Sequence, residues 1–446
     1  MLALAIALLA PAARAQQAPA LEGVWRSDGY GLVLKIDADS LHGYEVTAVG
    51  CLPAFQTKRT PHTGPGQLFA DSGQLRLLLL PGASANEFRL HEAGAASDVI
   101  FQRALRLPDH CAVPSANDAV ATFDVFWQTY REQYPFFAAK QIDWDQVRAA
   151  NRPRAIGATP ESLFAVLRGM IEPLRDAHTY IGSPDDRNLR YGGRRVDPDT
   201  IGARGRTRAE EIITTKYLRT KLHFFANGRV QFGMLPDSIG YLRITAFAGY
   251  VPGKGYEEAH AALEAALDTM FADTRGWRGL IIDVRINGGG ADPLGLAIAA
   301  RLTSTPYTAY AKVARADPVD AAKMTPPQPS VVTPSTRPGW RGPVAELTSR
   351  YSVSAAETFT QALMGRRPAI ERVGENTQGV FSDVLGRKLP NGWRFGLPNE
   401  LFLTAQGTSF DGAGIPPTIA VPTMTTAELT EGKDRALERA MAVIRK

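Results

Sequence analysis

Cysteine is almost missing from this chain: Cys51 and Cys111 are the two in 446 residues. A disulfide-built scaffold is therefore excluded, and the fold must rest on buried apolar surface. The seven histidines are scattered, and no H-E-x-x-H, C-x-x-C or P-loop pattern occurs. No metal and no other cofactor is expected. Charge of one sign is also scarce. Fifty Lys and Arg against 45 Asp and Glu leave +5, spread along the chain without a basic block. That excludes a nucleic-acid patch and an electrostatic membrane anchor. No apolar run reaches the roughly 20 residues of a stable membrane span.

What is present is ordinary for a soluble globular protein, with 44% hydrophobic and 21% charged residues. The length implies two or three domains. Residues 1–15 (MLALAIALLAPAARA) combine a short apolar run with the small-x-small site Ala13-Arg14-Ala15, although no Lys or Arg precedes the run. They are read as a signal peptide, so the protein is expected to be exported, to a periplasm or outside the cell. In that setting Cys51 and Cys111 can pair; two buried thiols are the alternative.

Residues 16–113 read as short strands between turns, an antiparallel β domain. Gly23-x-Trp25 occurs at the opening of lipocalin-like barrels, but a half-buried strand Trp is the plainer reading. Residues 114–182 are helical. Ser115 or Asn117 is the expected cap of a helix that places Phe123, Phe126, Trp127 and Tyr130 on its core face, and Pro135 ends it. His178 falls just beyond the last helix of this subdomain. Residues 183–235 are polar and rich in Arg and Gly, a linker or lid-like excursion with one or two strands. Residues 236–425 alternate strand and helix, which implies a mainly parallel sheet. Within them GLIIDVR is apolar enough to be buried on both faces. Residues 426–446 form a C-terminal helix.

Four segments could carry chemistry. Tyr351-Ser-Val-Ser354-Ala-Ala-Glu357 puts Ser354 where a strand gives way to a helix. Free N–H groups there favour the negative charge that develops in acyl transfer. The same letters spell a capping box, which is the structural alternative. Asp283-Val-Arg-Ile-Asn287-Gly-Gly-Gly290 brings bare backbone amides to the sheet's carboxyl edge. Asp176-Ala-His178 offers a base, and Asp411 lies in a turn-rich stretch where an Asx turn is the alternative.

Together these segments resemble, in order, the C-terminal processing (tail-specific) serine peptidases, more closely their tricorn-core-like branch. Leu174-x-Asp-x-His178, Ile239-Gly-Tyr-Leu-Arg-Ile244, Asp283 to Gly290, Ser354-Ala-Ala-Glu357, Gly374-Glu-x-Thr377 and Gly412-x-Gly-Ile-x-Pro417 carry the likeness. The resemblance spans roughly residues 120–425 and leaves out the N-terminal β domain. It implies a crotonase/Clp-like core of ββα units, with Ser354 as nucleophile. It also implies an oxyanion hole of backbone amides from Gly288, Gly289 and Ala355. The lysine base of the tail-specific branch is replaced by Val380, so His178 is the implied base and Asp411 its orienting carboxylate, with Asp176 a local alternative. No Gly-Leu-Gly-Phe-like loop marks a PDZ module. The expected activity is peptide-bond hydrolysis on a peptide or protein substrate. The alternatives are a non-catalytic ligand- or peptide-binding protein on the same fold, and an esterase or amidase.

Overall fold

The computed structural model describes residues 21–72, 75–193 and 202–446. Residues 1–15, read above as a signal peptide, lie outside the described residues. Among the described residues no helix is long and apolar enough to cross a membrane.

The first eight strands, from Gly23–Ser27 to Val99–Ala104, pair each with the next in antiparallel fashion. The last returns to the first, with Val24 opposite Ala104, so the sheet closes into a barrel. Alternation along each strand sends every second residue inward. Trp25, Leu34, Phe69, Phe88 and Phe101 thereby meet in a sealed core. Trp25 is wholly buried, and its indole N–H donates to the Leu21 carbonyl at 2.7 Å. The half-buried Trp of the plainer sequence reading is thus corrected, because closure of the barrel covers both its edges.

Cys51 and Cys111 form a disulfide that ties the fourth barrel strand to the segment entering the helical region. The bridge closes a loop of 60 residues in sequence separation. Replacing both cysteines by serine is expected to cost about 2–4 kcal/mol in urea unfolding, chiefly by freeing the unfolded chain. An unchanged midpoint would show that the barrel docks without it.

Helices Ala119–Gln133, Trp144–Ala155 and Pro160–Ile171 follow. Phe123, Phe126, Trp127 and Tyr130 are buried as their spacing requires. The cap is Asp118 rather than Ser115 or Asn117; its carboxylate accepts from Ala121 N–H at 2.8 Å. These helices pack on a four-stranded sheet in which Tyr180–Gly182, just after His178, pairs with Arg394–Pro398. Phe126 and Phe395 lie in contact across that interface, ring centroids 5.0 Å apart.

Residues 202–212, read as part of an irregular excursion, are an α-helix. The C-terminal segment is two helices, Thr426–Glu431 and Arg435–Arg445, parted by Gly432 in the left-handed conformation.

The α/β core is a seven-stranded sheet. Its order is His223–Phe225, Val230–Leu235, Ile239–Ile244, Gly279–Asp283, Val344–Thr348, Glu371–Gly374, Ile419–Ala420, parallel from the third strand onward. Every residue of Gly279–Asp283 is buried. Leu280 and Ile282 face helices Tyr256–Phe271, Asp292–Ala300 and Ala355–Met364, while Ile281 faces Arg435–Arg445. The glycine turn and Ser354 both follow the carboxyl ends of adjacent parallel strands, where sites form in open α/β sheets.

Candidate active site

The turn before Ser354 is built by two buried hydroxyls. Ser349 Oγ donates to the Arg285 carbonyl at 2.5 Å, and Ser352 Oγ to the Val284 carbonyl at 2.9 Å. Both anchor this turn to the end of the neighbouring strand. Ser354 itself has φ 59° and ψ −125°. Side-chain caps elsewhere, at Asp118, Asp143, Thr159, Thr425 and Asp434, all have negative φ, from −70° to −131°. Ser354 and Glu357 form the capping box, but the positive φ of Ser354 is a conformation that costs a non-glycine residue about 1–3 kcal/mol. Its N–H is held by the Val380 carbonyl at 3.0 Å and by Glu357 Oε2 at 3.2 Å.

Glu357, fully buried, also accepts from Gly379 N–H at 2.6 Å and Val380 N–H at 2.8 Å. Burial pushes its pKa up to about 7, against the opposing pull of Thr377 and these amides. The residue that reads as a capping-box Glu thus joins Ser354 to the loop 379–383.

The glycine turn is equally specific. Gly289 has φ +87°, and a Cβ there would stand 2.7 Å from Ser354 Cβ, so no side chain fits. Its N–H donates to Asn287 Oδ1 at 2.9 Å and is already engaged. Gly288 is exposed, with open space where a Cβ would point. The N–H groups of Gly288 and Ala355 have no hydrogen-bond partner among the described residues. Asp283 and Arg285 serve the framework: Arg285 is buried between Asp283 and Asp434, with contacts of 2.7 and 2.8 Å.

His178 leaves a tight turn in which Asp176 Oδ1 accepts its backbone N–H at 3.0 Å. Asp176 Oδ2 is taken by Tyr134 Oη at 3.0 Å, so this carboxylate shapes the turn. Burial lowers the pKa of His178 below its ordinary value; Asp176, Asp383 and the Ser382 backbone oppose it. The neutral ring suits a base. Among the described residues Nδ1 has no hydrogen-bond partner, and no hydrogen bond joins the ring to Ser354 Oγ.

Among the described residues no hydrogen bond joins Asp411 to this ring, where an orienting bond was expected. Asp411 Oδ2 accepts from Phe381 N–H at 3.2 Å, and the shorter side chain is spent on the loop. Burial, then the nearby Asp176 charge, pushes its pKa up to about 7. Asp383, overlooked in the sequence, is among the charges acting on His178. It is paired at 2.5 Å with buried Lys312, which also meets Glu400 at 3.2 Å. Burial opposes the charge on Lys312, but Glu400 and Asp383 raise its pKa, so it is no base. The Ser382-Asp383 pair inside the apolar stretch GVFSDVLG was the available signal. Among the described residues no cluster of three or more His, Cys, Asp and Glu could hold a metal.

Residues 238–421 match the model of Peptidase family S41. A candidate peptidase from Parabacteroides merdae ATCC 43184 has a TM-score of 0.60 at 26% identity, covering 72% of this chain and 95% of that one. Mature CPAF has a TM-score of 0.52 at 13% identity, over 73% of this chain and 96% of its own, and shows likeness of fold alone. No curated protein sequence matches the chain. The class these findings define is a serine-type peptidase, a hydrolase. The α/β core of this chain is similar to peptidase family S41, whose model matches it over residues 238–421.

Proposed function

We infer that the chain is an exported serine peptidase with a crotonase/Clp-like core, working through an acyl-enzyme on Ser354. The strained backbone of Ser354 at a helix start, facing a glycine turn too close for any side chain, is the observation that carries this reading. His178 takes the proton of Ser354 Oγ as the oxygen attacks a peptide carbonyl. The oxyanion sits between the N–H groups of Gly288 and Ala355, with Gly289 supplying close approach instead of a donor. His178 then protonates the leaving amine and activates water. Asp176 and Asp383 favour the imidazolium, while Glu357 and Asp411 position the loop between nucleophile and base.

The missing Ser354–His178 hydrogen bond favours one rival, a binding protein on this fold. Resting sites often tighten only with substrate, so the bond length alone does not decide. The deciding measurement is the pH profile of kcat/KM on a panel of peptides and acyl esters. The neutral form of a base with a lowered pKa exists above that pKa. Activity should therefore rise with pH along an acid limb centred below 6.5. Peptides should be cleaved, and His178→Ala should remove the limb. Ester turnover without peptide cleavage would instead assign an esterase.

A further inference from the structure

The open end of the barrel is roofed by the peptidase core, and a cavity of about 590 Å³ lies between them. That volume falls in the range of roughly 300–1,000 Å³ typical of ligand sites. On the barrel side its wall is apolar: Leu32, Phe55, Leu75, Leu77 and Val99 line it. On the core side it reaches Asp383 and Val384, on the loop that also holds Ser354, and Tyr180, two residues beyond His178.

Glu92 breaks the apolar register. In the strand Glu87–Glu92 the inward positions are Phe88, Leu90 and Glu92, the first two buried and the last exposed to the cavity. Among the described residues its carboxylate has no hydrogen bond and no ion pair. Arg394, on the same wall, also has neither and its charge acts on Glu45 and Tyr180, whereas several other charges nearby are used. Lys312 holds Asp383 and Glu400. Lys388 Nζ donates to the Ala54 carbonyl at 2.7 Å, and Arg387 to the Tyr30 carbonyl. Glu45 Oε2 accepts from Lys388 N–H at 2.8 Å. Exposed at a largely apolar mouth, this carboxylate is free to meet a cation. Burial and then Asp383 raise the pKa of Glu92, in keeping with an unmet demand for positive charge.

We propose that the barrel mouth is a substrate subsite, taking a large apolar side chain together with an adjacent basic group of a peptide whose scissile bond lies at Ser354. The apolar side chain enters between Phe55, Leu77 and Val99, and the cation meets Glu92. The subsite rests on the peptidase reading for its purpose, though not for its binding.

The test uses the full chain carrying Ser354→Ala, so that binding is read without turnover. Fluorescent peptides with Arg-Phe, Glu-Phe and Arg-Ala at the same place are titrated by anisotropy. Arg-Phe should bind about tenfold or more tightly than either of the others, roughly the effect of one satisfied charge contact or one buried ring. Glu92→Gln should erase the preference for Arg, and Glu92→Lys should invert it. Val99→Trp should weaken Arg-Phe binding by filling the mouth, with circular dichroism confirming the barrel. Equal binding of all three peptides, or preferences unchanged by Glu92→Lys, would overturn the proposal. Fluorophosphonate reaction in the Ser354-containing chain separates the two ideas. Labelling with indifferent peptides sinks the subsite alone. Peptide selectivity without labelling leaves the subsite and removes the peptidase.

Discussion

Ser354→Ala is expected to lower turnover by roughly three to six orders of magnitude, the range seen when a nucleophile is removed. The substitution removes one oxygen and leaves the framework in place. Ser354 N–H stays bonded to Val380 and Glu357, and the turn stays pinned through Ser349 and Ser352. Binding of peptides should therefore survive, and a loss of affinity comparable to the loss of rate would argue against a nucleophile. A second substitution sharpens the point. Alanine keeps the unfavourable φ of 59°, whereas glycine adopts it freely. Ser354→Gly should therefore be more stable than Ser354→Ala by about 1 kcal/mol in urea unfolding, although both are inactive. Equal or reversed stabilities would mean that the backbone at Ser354 stores no strain.

Arg285→Ala should destabilise the core by about 3–5 kcal/mol, because it strands two carboxylates in the interior. Arg285 reaches Asp283 on its own strand and Asp434 at the start of the last helix. Asp283 would keep Tyr241 Oη, at 2.7 Å, and the backbone N–H at position 285, at 3.1 Å. Asp434 would keep its capping bond from Leu437 N–H, at 2.9 Å. The Arg285 carbonyl also accepts from Ser349, so loosening here reaches the turn before Ser354. Asp434→Asn should cost less, since asparagine still caps and Asp283 keeps its partner. A cost under about 1 kcal/mol for Arg285→Ala would show that the last helix is held by its apolar face alone.

Much of this was legible in the sequence because it is local. The helix 355–364 and the buried strand at Gly279 follow from periodicity and composition, and the glycines announce a turn that must approach something closely. The parts that were not legible depend on long-range closure or on the direction of a single side chain. Eight short strands do not say whether the first pairs with the last, so Trp25 could be read as half-buried. Asn287 captures the Gly289 amide through a bond that the letters Asn-Gly-Gly do not reveal. Asp411 and Asp383 lie in neighbouring loops, and which carboxylate acts on His178 depends on where Lys312 and Phe381 draw them. Helix 202–212 was hidden by its polarity, since its charged faces leave little apolar period to detect.

The most direct test of the account is fluorophosphonate labelling of the full chain, with the adduct located by mass spectrometry in the native protein and in His178→Ala. The account predicts a single adduct on Ser354 that is lost, or slowed at least a hundredfold, in His178→Ala. Folded protein without an adduct at Ser354, or labelling indifferent to His178, would contradict it.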